Sequence, residues 1–371
     1  MRASVAGIIF ANAYDESLSR LTQKRSIASV PFGGRYRLID FSLSNLVNAG
    51  VTNVGVITKE KYRSLMDHIG SGGYWDLDRK NGGVRILPPF DIGGSRRYRG
   101  YVEALYGAMD FMHRCNAEHI VLCDARTVAN VELESVIRSH INSDADISVV
   151  YSRGDERKNS DDTMVLSLDT ANRITAVNFP EVIPEGEIRS IGIFVFKRDV
   201  LIELTKAYYE NGSESICKDV IAQEIGALKI FACPHAGFAA IMDSPASYKK
   251  ASMQLLEKDV RRELFNRDRP IYTKTRDDMP TRYGTKSVVK NSFIAEGCVI
   301  EGTVKNSILF RGVKVEKGAV VENSIIMQGV SVGKDASLDR VISDKNASIG
   351  EGMTIKGTQE KSFVIEKNQT L

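Results

Sequence analysis

Leu309-Phe-Arg-Gly-Val-Lys-Val315-Glu-Lys-Gly-Ala-Val-Val321 places aliphatic residues at Leu309, Val315 and Val321, two successive steps of six. The same step links Ile294 to Ile300, Ile326 to Val332 and Leu338, and Ile349 to Ile355. Asn-Ser pairs punctuate the run at Asn291-Ser292, Asn306-Ser307 and Asn323-Ser324. A hexapeptide period with aliphatic inward positions and small residues at the corners predicts a β-helix with triangular coils. A sandwich of short strands would show period two instead. Such coils need neighbours to cover their open ends, so this region is expected to pack on the rest of the chain or on another subunit.

Upstream of Ser287 the pattern is different. Val5-Ala-Gly-Ile-Ile-Phe10 is a short continuous apolar run, as in a strand buried on both faces of a parallel sheet. Helical and strand patterns then alternate: Phe41 to Asn48, Val51 to Thr58, Tyr62 to Ile69, Glu103 to His113, His119 to Cys123, Val131 to Ser139, and Ile147 to Tyr151. That alternation predicts an α/β domain with a mostly parallel sheet covered on both sides. Ligands of such sheets bind beyond the carboxyl ends of the strands, here after Phe10, Thr58 and Cys123. The expected domains are 1–245 (wound sheet), 246–286 (helical or irregular linker) and 287–371 (β-helix). Within the linker, the charge-rich stretch Lys258 to Arg269 reads as a solvated face.

Composition narrows the function classes. The 371 residues are 43% hydrophobic and 26% charged, the balance of a globular protein. Lys and Arg number 50 against 47 Asp and Glu, and a net charge of +3 gives no support to a nucleic-acid surface. Five scattered Cys without C-x-x-C argue against a disulfide framework or zinc site and for a reducing compartment. No apolar run reaches the ~18 residues of a membrane span. The apolar start lacks a small-residue cleavage site, so a cytoplasmic location is expected. No His follows His235, which disfavours a hexapeptide acyltransferase with a catalytic histidine between coils.

Val30-Pro-Phe-Gly-Gly-Arg-Tyr-Arg-Leu-Ile-Asp-Phe-Ser-Leu-Ser-Asn45 resembles the bacterial ADP-glucose pyrophosphorylase family. Tyr98-Arg-Gly100, Ser190-Ile-Gly-Ile-Phe-Val-Phe196 and the hexapeptide tail extend the resemblance along nearly the whole chain. Members are glucose-1-phosphate adenylyltransferases, which make ADP-glucose from ATP and glucose 1-phosphate for glycogen synthesis. The resemblance implies a Rossmann-like nucleotidyltransferase domain followed by a left-handed parallel β-helix.

Nucleotidyl transfer needs a glycine-rich turn for phosphates, cations against developing charge, and carboxylates to hold magnesium. This chain departs from the family at each. Where the family has G-G-x-G-T-R-L, the stretch from Asn12 through Ala13, Tyr14, Asp15, Glu16 and Ser17 to Leu18 has no glycine, and Ser17 replaces the arginine. The family's phosphate lysine falls at Ile27, and bulky Tyr101 and Val102 enter its base-binding segment. Asp124 survives in the family's G-D position. The second metal-holding carboxylate falls at Ile241, or at Asp243 after a two-residue slip. Arg96, Arg97 and Arg99 are candidates for an anionic effector.

Intact packing motifs beside degraded phosphate motifs match the GlgD-type companion subunit found with a catalytic GlgC-type subunit in some Gram-positive bacteria. The resemblance thus implies a non-catalytic or weakly active regulatory subunit in a hetero- or homotetramer. No cofactor is expected for this chain alone, and Mg2+ is expected for the catalytic partner. Two alternatives stand beside it: an active nucleotidyltransferase using Asp124 and Asp243 in an altered site, and a metabolite-sensing binding module.

Overall fold

The computed structural model describes residues 4–12, 15–89, 98–159, 163–358 and 361–371, with Asp15 described for its backbone alone. Ala13, Arg96 and Arg97 lie outside the described residues.

Among the described residues, a nine-stranded sheet organises the first domain. Its strands are β1 (Val5–Phe10), β2 (Asn53–Ile57), β3 (Gly83–Leu87), β4 (His119–Asp124), β6 (Ile147–Ser152), β7 (Val165–Leu168), β8 (Ile174–Asn178), β9 (Arg189–Lys197) and β10 (Ile230–Pro234). The short β5 (Thr127–Ala129) and β11 (Ala239–Ile241) form a separate pair. The path runs β8-β7-β9-β4-β1-β2-β3, with β6 on β9 and β10 on β6. β1 is central because its side chains are apolar on both faces. Ala6, Ile8 and Phe10 enter one core cluster and Ile9 the other. Gly7 keeps that centre tight, since a Cβ there would lie 2.7 Å from Leu46 on helix α1 (Leu38–Asn48).

Register sets the site. β1 runs parallel to both neighbours, with Phe10 opposite Ile57 on one side and Asp124 on the other. Three carboxyl ends therefore finish level with one another. The sheet is parallel in this half, but β9 lies antiparallel between β4 and β6. A buried apolar run carries no mark of direction, so the sequence pattern could not show this. The single helix expected over Glu103 to His113 is two, α2 (Tyr101–Gly107) and α3 (Met109–Arg114), broken at Ala108.

The second domain is the expected left-handed β-helix, three sheets of five strands each among the described residues. Leu309, Val315 and Val321 belong to the three different sheets and pair with Ile326, Val332 and Leu338 on the next coil. All six are buried in one core. Asn291, Asn306 and Asn323 turn corners at φ of 44°, 44° and 49°, a region that asparagine tolerates better than most residues. The serines after them form a ladder: Ser292 Oγ accepts from Ser307 N, Ser307 Oγ from Ser324 N, and Ser324 Oγ from Val341 N. The first coil strand is Arg282–Tyr283, ahead of the boundary at 287.

One outer face of the β-helix is apolar. Ile308, Ile325 and Ile342, with Phe310 and Met327, share a buried cluster with Leu18, Leu21, Ile27, Val30, Phe32 and Tyr248. The two domains are thus joined through a common core along a side of the coils, over successive rungs of one sheet, and not at the open end that the repeat pattern predicts. Tyr248 comes from helix α4 (Pro245–Gln254), and its hydroxyl donates to the Pro31 carbonyl at 2.7 Å.

Candidate functional site

The carboxyl ends of β1 and β2 open into a cavity of about 220 Å³. Asn12, Lys59, Arg99, Tyr101 and Glu214 are among its lining residues. A smaller space of about 30 Å³ lies beside it at the end of β4, reached by Phe10, Tyr101, Asp124, Arg126, Phe194 and Ile241. Room on that scale holds one water molecule.

Among the described residues, Asn12, Ile27 and Tyr101 each have a local structural use. Asn12 Nδ2 donates to the Glu60 carbonyl at 2.8 Å, and its Oδ1 accepts from Lys59 N at 3.0 Å. The side chain thereby ties the segment after β1 to that after β2. Asp15 begins a 3-10 turn (Asp15–Thr22) in which Ser17 is half-buried. Ile27 is fully buried in the interdomain core, and it does not line the cavity. Arg99 is 59% exposed and bonded to Glu103 through both its backbone N (2.6 Å) and Nε (3.3 Å).

Asp124 is where the structure adds most. Its Oδ2 accepts from Arg126 Nε at 2.9 Å, Arg126 Nη2 at 2.7 Å and the Tyr101 hydroxyl at 2.6 Å. Its Oδ1 accepts from the Arg126 backbone N at 2.9 Å. Both ionic side chains are buried, Asp124 at 6% and Arg126 at 5% exposed. The Tyr101 ring packs edge-on against Phe10 with centroids 4.4 Å apart. Tyr101, at the first turn of α2, thus fills the space between the two cavities.

Asp243 is not brought to Asp124. Ile241 pairs with Thr127 and lines Asp124's cavity, which Asp243 does not line. Beyond Ile241 the chain turns into α4, where Ser244 caps the helix by accepting from Ser247 N. Asp243 lines an adjoining cavity of about 560 Å³, which Ile241 also lines, and bonds Arg157 at 3.0 Å. The sequence reading missed Arg126 and Arg157. Arg126 stands two residues after Asp124, and a basic residue so close to a retained carboxylate was a readable sign of internal pairing.

A further cavity of about 180 Å³ lies between the domains, lined by Arg35, Arg37, Lys274, Arg276, Arg311 and Lys345 with Asp67 and His68. Burial lowers Arg37 to about 10 and lowers Lys345 well below the ordinary lysine value, with neighbouring cations adding to both shifts. Among the described residues no three His, Cys, Asp or Glu side chains gather as a metal site. No helix among them is long and apolar enough to cross a membrane.

A mixed sheet with cavities at the ends of its parallel strands, joined through a shared core to hexapeptide coils, is the architecture of a nucleotidyltransferase. Residues 6–233 match the family described as Nucleotidyl transferase, and residues 278–364 match that described as GlmU-like, C-terminal hexapeptide. The chain belongs to the nucleotidyl transferase family, in the group of bacterial GlgD proteins and glucose-1-phosphate adenylyltransferases. It is 42% identical to the glycogen biosynthesis protein GlgD of Geobacillus stearothermophilus, over 99% of this chain and 97% of the relative. The GlgD of Bacillus subtilis is 36% identical over 84% of this chain and 81% of its own length. A glucose-1-phosphate adenylyltransferase of G. stearothermophilus is 33% identical over 86% of this chain and 84% of its own length.

Proposed function

We propose that this chain is a non-catalytic or weakly active regulatory subunit in glycogen biosynthesis. It acts on a catalytic glucose-1-phosphate adenylyltransferase subunit (GlgC-type) that makes ADP-glucose from ATP and glucose 1-phosphate. The observation that carries the reading is the buried Asp124–Arg126 pair at the end of β4, with about 30 Å³ open beside it. Mg2+ serves the partner's chemistry, and this chain needs no cofactor of its own. The assembly is a tetramer in the cytoplasm, in which one homologous fold replaces its sibling in pseudo-symmetric contacts. Such a subunit alters its neighbour by favouring one of its states, with a coupling of about 1–3 kcal/mol.

The cavity lined by Arg35, Arg37, Lys274, Arg276, Arg311 and Lys345 supports control by an anionic metabolite, better than Arg99, which Glu103 already holds. A second reading, a metabolite-sensing module without a catalytic partner, draws on the open cavity of about 220 Å³. Co-expression with the catalytic subunit of the same organism, followed by sizing and ADP-glucose synthesis, separates them. Co-elution with shifted substrate curves supports the regulatory subunit. Separate elution with unchanged curves overturns it.

A further inference from the structure

The geometry points to Arg126 as a built-in counter-ion that occupies Asp124 in place of a divalent cation, so that this chain excludes the metal its fold family uses. The inference rests on the reading of a site without its own chemistry, and it supplies the physical reason. Magnesium binds through carboxylate oxygens with free lone pairs and keeps several of its waters. Asp124 offers at most one such oxygen and little room. Its Oδ2 already accepts from two guanidinium nitrogens and a phenol, and its Oδ1 from a backbone N–H. Three of these donors crowd Oδ2; Oδ1 keeps one further lone-pair site, a single oxygen that the neighbouring guanidinium charge and the small space leave poorly open to a cation.

Charge acts in the same direction. The guanidinium lies against the carboxylate in a buried pair, where little water screens it from an arriving cation. Ile241 stands where a second carboxylate would be needed, and Asp243 is held by Arg157 in a different cavity. The remaining space of about 30 Å³ does not admit a hydrated ion.

The arrangement is assembled from three elements. Arg126 comes from the turn between β4 and β5, Tyr101 from the start of α2, and Gly192 from β9. At Gly192 the backbone has φ of +72°, and a Cβ would lie 3.0 Å from the Cβ of Asp124. Asp124 has become the clamp between these elements. Loss of the phosphate-loop glycines alone would weaken substrate binding, whereas Arg126 removes the metal position itself. Repairing the loop therefore leaves the site closed.

Mn2+ is the probe, followed by electron paramagnetic resonance and by thermal unfolding of the full chain. The unaltered chain binds no Mn2+ at Asp124 at millimolar concentration, and Ile241→Asp alone binds none either, because Arg126 remains. Adding Arg126→Ala to Ile241→Asp creates a site, seen as loss of the free Mn2+ signal and a rise of several degrees in Tm with Mn2+. A Mn2+ site in the unaltered chain that Asp124→Asn abolishes overturns the proposal, as does a Mn2+ site in Ile241→Asp with Arg126 intact. A folded double variant that binds no Mn2+ also overturns it. If the double variant does not fold, the unaltered chain and the single variant still decide. These readouts use no partner. A chain that excludes Mn2+ yet leaves the catalytic subunit's kinetics unchanged overturns the subunit reading and keeps this one.

Discussion

Arg25 Nη2 lies 2.8 Å from each carboxylate oxygen of Asp344, and both side chains are only 3% exposed. Arg25 belongs to the first domain and Asp344 to a late coil of the β-helix, so this buried pair crosses the interdomain core. Nearby, Lys345 N donates to Asp344 Oδ1 at 2.6 Å. Removing one member leaves the other charge stranded out of water.

Asp344→Ala is therefore expected to lower stability by about 3–5 kcal/mol, the cost of an uncompensated buried ion. Arg25→Met with Asp344→Leu should cost much less, because neither charge is left behind. Denaturant unfolding of the two variants checks this. Equal losses would mean that the pair contributes through shape alone.

His140 supplies an acid-side dependence. It is fully buried on the helix Leu133–Asn142, with Nδ1 2.8 Å from Ser148 Oγ. Burial, with His119 and Lys197 adding, lowers it from 6.5 to about 3. The unfolded chain then takes up a proton below about pH 6.5 that the folded chain refuses, so stability falls as pH falls. Between pH 6.5 and 4.5 this removes about 2–3 kcal/mol. His140→Gln should flatten that limb of the stability curve. A limb of unchanged slope in the variant would assign the dependence elsewhere.

Ile27→Lys restores the family's residue but not its site. Ile27 is 0% exposed among Leu18, Leu21, Val30 and Phe32. A lysine there buries an ammonium without a counter-ion, and a loss of about 3 kcal/mol or more is expected. ATP binding should not improve, which isothermal titration of the variant measures.

Asn12→Ala removes the bonds to the Glu60 carbonyl and Lys59 N–H. A loss of about 1–3 kcal/mol is expected, since the bonded groups of the neighbouring loop are left unpaired. Hydrogen exchange at Lys59 should accelerate in the variant, and unchanged protection there would remove Asn12 from this role.

The β-helix was legible because its coils are local: Leu309, Val315 and Val321 announce three sheets by spacing alone. Val5 to Phe10 was legible for a similar reason, as a run too apolar for any place but the middle of a sheet. The antiparallel course of β9 was not, because direction is decided by the connections and not by the composition of Arg189–Lys197. The site was half legible. Missing glycines and cations could be counted along the chain, and Ile241 could be aligned. What holds Asp124 could be read only in part: Arg126 stands two residues away, but Tyr101 meets it only after α2 and β4 have been brought together. Asp243 misled for a local reason: two residues beyond Ile241 the strand has ended, and the serine cap of α4 turns the chain away.

The pairing of Leu309 with Ile326, and of Val315 with Val332, also restricts how this protein can change in length. Gain or loss of a single residue within a strand would offset that rung against its neighbours, whereas the corners already absorb differences: the step from Phe293 to Ile308 is 15 residues, from Ile308 to Ile325 17 and from Ile342 to Val364 22. Away from the corners, whole turns are the natural unit of insertion and deletion, as links are in a chain. Even that freedom is limited here. Ile308, Ile325 and Ile342 are successive rungs that each touch the first domain, so a chain shortened by one turn would lose a tooth from the joint between its domains. Corner loops on the two remaining faces, clear of that joint, are where additions can accumulate without disturbing the rest.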